Sequence, residues 1–160
     1  TLHRAENTDP AVLPGMVRAL NELAQRHTIV IPVHPRTEAA LRQQGLTFAP
    51  QIRTSRPLGY LDTLRLIGAA KAVLTDSGGL QEEAGVLCAP LLITRNETEW
   101  RYLVDAGAAV LVGNSYESLM AGAAEWLAPA GLAQLRAHKA PVRAGAAEHA
   151  VQAIADLIGS

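Results

Sequence analysis

The apolar residues of this chain follow two alternating rhythms. Over residues 10–26, Val12, Met16, Val17, Leu20, Leu23 and Ala24 recur at helical spacing behind an Asp9-Pro10 start signal, which predicts an amphipathic helix. TIVIPVH (28–34) is instead a short β-branched run closed by His-Pro, the pattern of a buried strand. A short helix is expected over 37–44, stopped by Gly45, and a weak strand within 46–53. Tyr60, Leu61, Leu64, Ile67 and Gly68 mark another helical face. Strands are predicted at 72–75 (AVLT), 90–94 (PLLIT) and 108–113 (AAVLVG), separated by helices over 80–87 and 99–106. Ser115 caps a helix reaching about residue 127, and helical segments around 132–138 and 146–158 close the sequence. The opening, TLHRAEN, reads as the tail of a strand entering a polar loop, so the chain is expected to be the second half of something longer.

Continuous apolar strands that alternate with helices predict a parallel sheet covered on both faces, a doubly wound α/β architecture. Ligands of such sheets bind beyond the carboxyl ends of the strands, which directs attention to the loops HRAEN, HPRT, DSGG, RNETEW and GNSYES. The 160 residues suit one domain, and 49% hydrophobic with 18% charged residues fits a soluble globular chain. A net charge of -1 gives no bias toward nucleic acid or an anionic membrane surface. No apolar run approaches the roughly 18 residues of a membrane span, no signal peptide is visible, and the cytoplasm is the expected location. Cys88 is the single cysteine, and its apolar setting, VLCAPLL, predicts a buried inert thiol.

In DSGG a strand ends and a helix begins. Gly78 and Gly79 permit close backbone approach, while the Ser77 hydroxyl and the first free N–H groups of the helix would face an anion. Glu82 and Glu83 either point away from it or offer a carboxylate to two ribose hydroxyls. The same letters also suit an ordinary turn with a capping serine. Two other strands each end in a histidine followed closely by an arginine: His3-Arg4, and His34 with Arg36. Histidine transfers protons near neutral pH or donates to phosphate oxygens, although surface pairs would look alike. Together the three loops outline a convergent anion pocket. Residues 96–101 (NETEWR) either add polar groups to it or form a capping box on an exposed helix. His27, His138 and His149 read as surface residues, and no H-x-x-H or cysteine cluster supports a metal site.

HRAEN, PVHPRT, PLGYLDTLRLIGAAKAVLTDSGGLQEEAGVLCAPLLITRNETEW and DAGAAVLVG, in that order, closely resemble the C-terminal domain of the non-hydrolysing UDP-N-acetylglucosamine 2-epimerases. The resemblance runs from Thr1 to about Gly113, and it is most specific in the long central block. It implies that residues 1–160 are a UDP-binding Rossmann-like domain, the C-terminal half of a GT-B fold with its active site between two domains. It also implies a reaction that interconverts UDP-GlcNAc and UDP-ManNAc. A base removes the C2 proton as UDP departs, a glycal remains, and UDP adds back after reprotonation on the other face. Neither a metal nor a nicotinamide cofactor is implied.

By position, His3 matches the family's essential, catalytic histidine. Ser77, Gly78 and Gly79 match its phosphate loop and Glu83 its ribose-binding carboxylate; Arg4, Tyr60, Arg95 and Arg101 complete the implied UDP-binding set. His34 matches a second UDP-GlcNAc site used for regulation in bacterial members. The acid and base carboxylates belong to an N-terminal domain absent from this chain, so the fragment is expected to bind nucleotide without catalysing. Its implied partners are a UDP-sugar, that missing domain and, at full length, a second copy in a homodimer.

Three positions depart from the family pattern. Ala5 replaces the second arginine of HRREN, Thr63 an aromatic residue near the uracil, and Trp100 a phosphate-contacting arginine for which Arg95 or Arg101 would compensate. Two rivals stay open: another GT-B enzyme, either a glycosyltransferase or an epimerase of a modified UDP-hexosamine, and a non-catalytic nucleotide-sugar module.

Overall fold

The computed structural model describes residues 1–138, so the helix expected over 146–158 lies outside them. Five short strands, β1 (Val30–Pro32), β2 (Arg53–Ser55), β3 (Val73–Thr75), β4 (Leu91–Ile93) and β5 (Ala109–Leu111), all pair in parallel. They form two ladders, β1-β2 and β3-β4-β5, with Leu74, Leu92 and Val110 in register across the second. Eight helices surround them among the described residues: α1 (Ala5–Thr8), α2 (Leu13–Leu23), α3 (Pro35–Gln43), α4 (Tyr60–Ala69), α5 (Gly78–Val86), α6 (Arg101–Asp105), α7 (Tyr116–Trp126) and α8 (Pro129–Ala137). None of them is long and apolar enough to cross a membrane.

The alternation of side chains along β4 divides the core in two. Leu92 packs on one side with Met16 and Leu20 of α2, Leu119 of α7 and Leu135 of α8. Leu91 and Ile93 pack on the other with Ile67 of α4, Ala84 of α5 and Leu103 of α6. Helices therefore cover both faces, as the sequence pattern predicts. Only β4 is fully buried along its length; β1 and β5 are partly exposed and β2 is exposed throughout.

The strand expected within 46–53 instead begins at Arg53. Residues 46–52 curl into a turn that closes when the Ile52 N–H donates to the Ala49 carbonyl, pinned from outside by Asn21 Oδ1 accepting from the Ala49 N–H at 2.7 Å. The strand proper, Arg-Thr-Ser, joins β1 through its backbone, with Arg53 N–H donating to Ile29 and Val33 N–H to Ser55. Cys88 also differs from expectation, because it is exposed. It takes a left-handed conformation (φ 52°) just beyond α5, beside the exposed Val86 and Leu87.

Between the two ladders lies an apolar groove of about 580 Å³, lined by Val30 and Ile31 of β1, Val73 and Leu74 of β3, and Leu20 and Ile67. Residues 1–3 enter at the far end of this groove and run parallel to β3. The Thr1 amino group donates to the Leu74 carbonyl at 2.7 Å, and two residues on the His3 N–H donates to Asp76. Leu2 is buried, and its carbonyl accepts from the Thr37 hydroxyl. These contacts bring His3 and Arg4 to the carboxyl end of β3.

Candidate functional site

The polar residues at the carboxyl ends of the strands gather around Asp76. This carboxylate follows β3 and is fully buried. It accepts from the backbone N–H groups of His3 (2.8 Å) and Arg4 (2.9 Å), from Asn7 Nδ2 (2.9 Å) and from the His3 ring. Asn7, also fully buried, spends its second amide hydrogen on the Thr94 carbonyl and accepts from Asn114 Nδ2 at 3.0 Å. A buried amide with every polar atom occupied fixes its neighbours firmly. Asn7 thereby ties the chain's first loop to those after β3, β4 and β5. The HRAEN segment, read as loop from the sequence, is the short helix α1, and helical curvature turns Asn7 inward while Ala5 and Glu6 face out. An arginine in place of Ala5 would therefore stand on the surface.

His3 Nδ1 lies 3.0 Å from Asp76 Oδ1. The carboxylate only accepts, so Nδ1 carries the proton and Nε2 keeps a lone pair in the neutral ring. Burial lowers the His3 pKa from its ordinary value; Asp76 opposes this, while His34 and Arg4 reinforce it. The ring is thus neutral at physiological pH. His34 sits with its ring centroid 5.2 Å from that of His3 and caps α3, its Nδ1 accepting the Arg36 N–H at 3.1 Å.

Beside this pair α5 begins. Ser77 is in extended conformation, its carbonyl accepts the Gln81 N–H, and its hydroxyl takes a long bond (3.5 Å) from the Leu80 N–H. The Gly78 and Gly79 N–H groups have no partner among the described residues, as expected in a first helical turn, and they carry the positive end of the helix dipole. Gly79 opens onto free space, whereas Gly78 lies under a cluster of side chains. A Cβ built on Gly78 would stand 2.7 Å from Glu99 Oε1, 3.2 Å from Trp100 Nε1 and 3.5 Å from Arg4 Nη2. A larger residue here would have to push the Glu99 carboxylate aside.

Glu99 bridges two arginines here. It accepts from Arg4 Nη2 at 2.7 Å and from Arg95, whose Nε also donates to Glu6 at 2.9 Å. A bond from its own backbone N–H holds the Glu99 carboxyl below the usual range, and both arginines add to this against the effect of burial. Glu83, a turn further along α5, is half-buried, and burial with Glu82 alongside raises its carboxyl.

The structure thus brings His3, Arg4, Ser77, Gly78, Gly79 and His34 to one end of the sheet. Arg95 reaches the same place, but buried and held by Glu6 and Glu99, so its charge is already matched. Arg101 opens α6, exposed and without an ion pair among the described residues, and Tyr60 is 65% exposed at the start of α4. Thr63, inside α4, returns its hydroxyl to the Gly59 carbonyl. The NETEWR segment does not form the capping box that its letters allow. The Thr98 hydroxyl instead donates to Gln81 Oε1 of α5 at 2.6 Å and accepts the Trp100 N–H. Sequence reasoning missed Asp76, Asn7 and Glu99, although the DSGG and HRAEN motifs contain or adjoin the first two.

Known proteins share this fold. A crystal structure of Methanocaldococcus jannaschii UDP-GlcNAc 2-epimerase in complex with UDP-GlcNAc and UDP superposes with a TM-score of 0.84 at 32% identity, over 97% of this chain and 43% of that one. A Neisseria meningitidis UDP-GlcNAc 2-epimerase bound to UDP-GlcNAc gives 0.82 at 26%, over 99% and 43%. In sequence, a Pseudomonas aeruginosa UDP-2,3-diacetamido-2,3-dideoxy-D-glucuronate 2-epimerase is 42% identical over 125 residues, 77% of this chain and 35% of that protein. A Methanococcus maripaludis UDP-N-acetylglucosamine 2-epimerase is 38% identical, over 75% and 35%. The chain spans about a third of the length of these curated relatives. The family profile of the UDP-N-acetylglucosamine 2-epimerases matches residues 1–158, and by that match, together with the shared Rossmann-like fold, the chain belongs to this family.

Proposed function

We propose that residues 1–160 are the nucleotide-binding C-terminal domain of a larger enzyme that inverts C2 of a UDP-hexosamine by eliminating and re-adding UDP. The observation that carries this is the convergence of Arg4, the unpaired Gly78 and Gly79 N–H groups and the Asp76-oriented His3 at the amino end of α5. When the C1–O bond breaks, negative charge develops on the departing diphosphate. Donors already aimed at that position stabilise the charge without reorganising. Each hydrogen bond to a charged oxygen is worth about 1.5–3 kcal/mol, so several together retain UDP beside the glycal until it adds back. Neutral His3, with Nδ1–H on Asp76, offers Nε2 toward the reacting region. In this reading the Glu83 carboxylate accepts from the ribose hydroxyls. The groups that remove and return the C2 proton come from an upstream domain that closes over this end of the sheet.

The substrate pair we infer is UDP-GlcNAc and UDP-ManNAc, in a cytoplasmic step supplying polysaccharide precursors, with the full enzyme a homodimer and His34 part of a regulatory nucleotide-sugar site. The Pseudomonas relative favours a second reading, in which the hexosamine carries further acetamido and carboxylate groups. Titrating UDP into labelled chain while following the Gly78 and Gly79 amides tests the binding; no response at millimolar UDP overturns it. Incubating the full-length enzyme with either UDP-sugar in deuterated water separates the substrates, since only the true one gains deuterium at C2.

A further inference from the structure

Trp100 holds one of the few buried side-chain polar atoms without a partner: its indole Nε1 is shielded from solvent and bonds to nothing among the described residues. An orphaned buried donor calls for an explanation. Its placement is tightly constrained. The Trp100 backbone N–H donates to the Thr98 hydroxyl at 3.1 Å, which in turn donates to the buried Gln81 on the first turns of α5. The ring rests edge-to-face on Tyr102, centroids 5.9 Å apart at 87°. The indole is therefore registered against the amino end of α5, with Nε1 only 3.2 Å from where a Gly78 Cβ would be.

A carboxylate oxygen, Glu99 Oε1, lies 2.7 Å from the same point. An anionic oxygen thus occupies the space over Gly78, held by Arg4 and Arg95. The Glu99 side chain is 44% exposed, so its two ion pairs can be exchanged for solvent. Its departure would free Arg4 Nη2 and open the space over Gly78 that the indole N–H borders. Two side-chain donors, Arg4 Nη2 and Trp100 Nε1, would then border an oxygen arriving in the carboxylate's place.

We propose that Trp100 is a ligand-contacting residue of this site, its indole N–H donating to the phosphate that displaces Glu99 from above Gly78. The inference rests on the nucleotide reading above and deepens it. A neutral donor stands where a cation would otherwise add charge, so the site holds its phosphate by directed hydrogen bonding, with Arg4 as the charged partner.

The test is a UDP titration of the ¹⁵N-labelled chain, following the Trp100 indole N–H together with the Gly78 and Gly79 amides; Trp100→Phe identifies the indole signal by its loss. The indole proton should move downfield in step with the glycine amides. Trp100→Phe should weaken both UDP and inorganic diphosphate by about tenfold or more, the loss of one hydrogen bond to a charged group. Glu99→Gln should tighten both, because the competing charge is gone. Glycine amides that respond while the wild-type indole stays still would overturn the inference and leave the nucleotide reading standing. Weaker binding by Glu99→Gln would overturn the displacement. Glycine amides that never respond would overturn the nucleotide reading and this inference with it.

Discussion

Asp76 receives the His3 ring at 3.0 Å while also accepting both backbone N–H groups of the His3-Arg4 step, so one buried carboxylate sets the position and the tautomer of the histidine. Asp76→Asn keeps the shape but replaces one acceptor oxygen with an NH₂ donor. Either a backbone N–H or the Nδ1–H then loses its partner. Removing one member of a buried charged network costs about 3 kcal/mol. The urea midpoint of Asp76→Asn should fall accordingly. Asp76→Glu, which keeps the charge but overfills a solvent-excluded space, should not restore it.

The same pair predicts a pH dependence. Burial puts the folded His3 pKa below its ordinary value near 6.5, so between the two values the unfolded chain binds more protons than the folded one. The stabilisation attached to the neutral ring is therefore fully present above pH 6.5 and is lost as the pH falls from there toward the folded value. Urea midpoints measured at pH 7.5 and 5.5 should show this loss in the wild type and a smaller one in His3→Gln. An equal loss in both would assign the effect to other groups.

How far this centre was legible in the sequence depends on the range of each signal. DSGG was visible because an apolar run, a serine and two glycines are local marks of a strand passing into a helix. Asp76 stands in the same motif, yet its role depends on Asn7, 69 positions away, which in turn depends on Asn114, 107 positions further. No spacing rule reaches so far. β2 escaped because Arg-Thr-Ser has no apolar pattern and its pairing is made by backbone alone. Thr98 and Glu99 carry the letters of a capping box, and only tertiary packing shows that Thr98 serves Gln81 and Glu99 serves two arginines. The apolar neighbours of Cys88 suggested burial, but at the end of α5 the chain reverses through a left-handed residue and leaves the thiol outside.

Glu83 supplies a test of the proposed nucleotide site on α5. It lies a turn beyond Gly78 and Gly79, half-buried, with a carboxyl raised by burial and by Glu82. A carboxylate in that position suits two vicinal hydroxyls and repels phosphate. Glu83→Ala should weaken UDP by about tenfold, one hydrogen bond to a charged group, and leave inorganic diphosphate unchanged or slightly tighter. Equal losses for the two ligands in parallel titrations would remove the ribose contact.

The groove between β1 and β3 is bordered by one open edge of each strand. Along β3, the Val73 N–H donates across to Pro90 beside β4, so by strand alternation the Leu74 N–H points into the groove, where the Leu74 carbonyl already accepts from Thr1. Along β1, residues 29 and 33 pair with β2, which turns Val30 toward the groove, and Val30 is 40% exposed there. Among the described residues the β1 edge is open and the β3 edge meets only Thr1, and with an apolar lining they make a costly surface in water and a ready template for pairing. Residues 1–3 already follow the direction such a strand would take. A chain lengthened by a five-residue Val/Ile/Leu strand before Thr1 should join the two ladders into one sheet. Its urea midpoint should rise, and exchange of the Val30 and Leu74 amides should slow at least tenfold, while a Gly/Ser extension of equal length changes neither. Unchanged exchange with the apolar extension would show that the two ladders are stable as separate sheets.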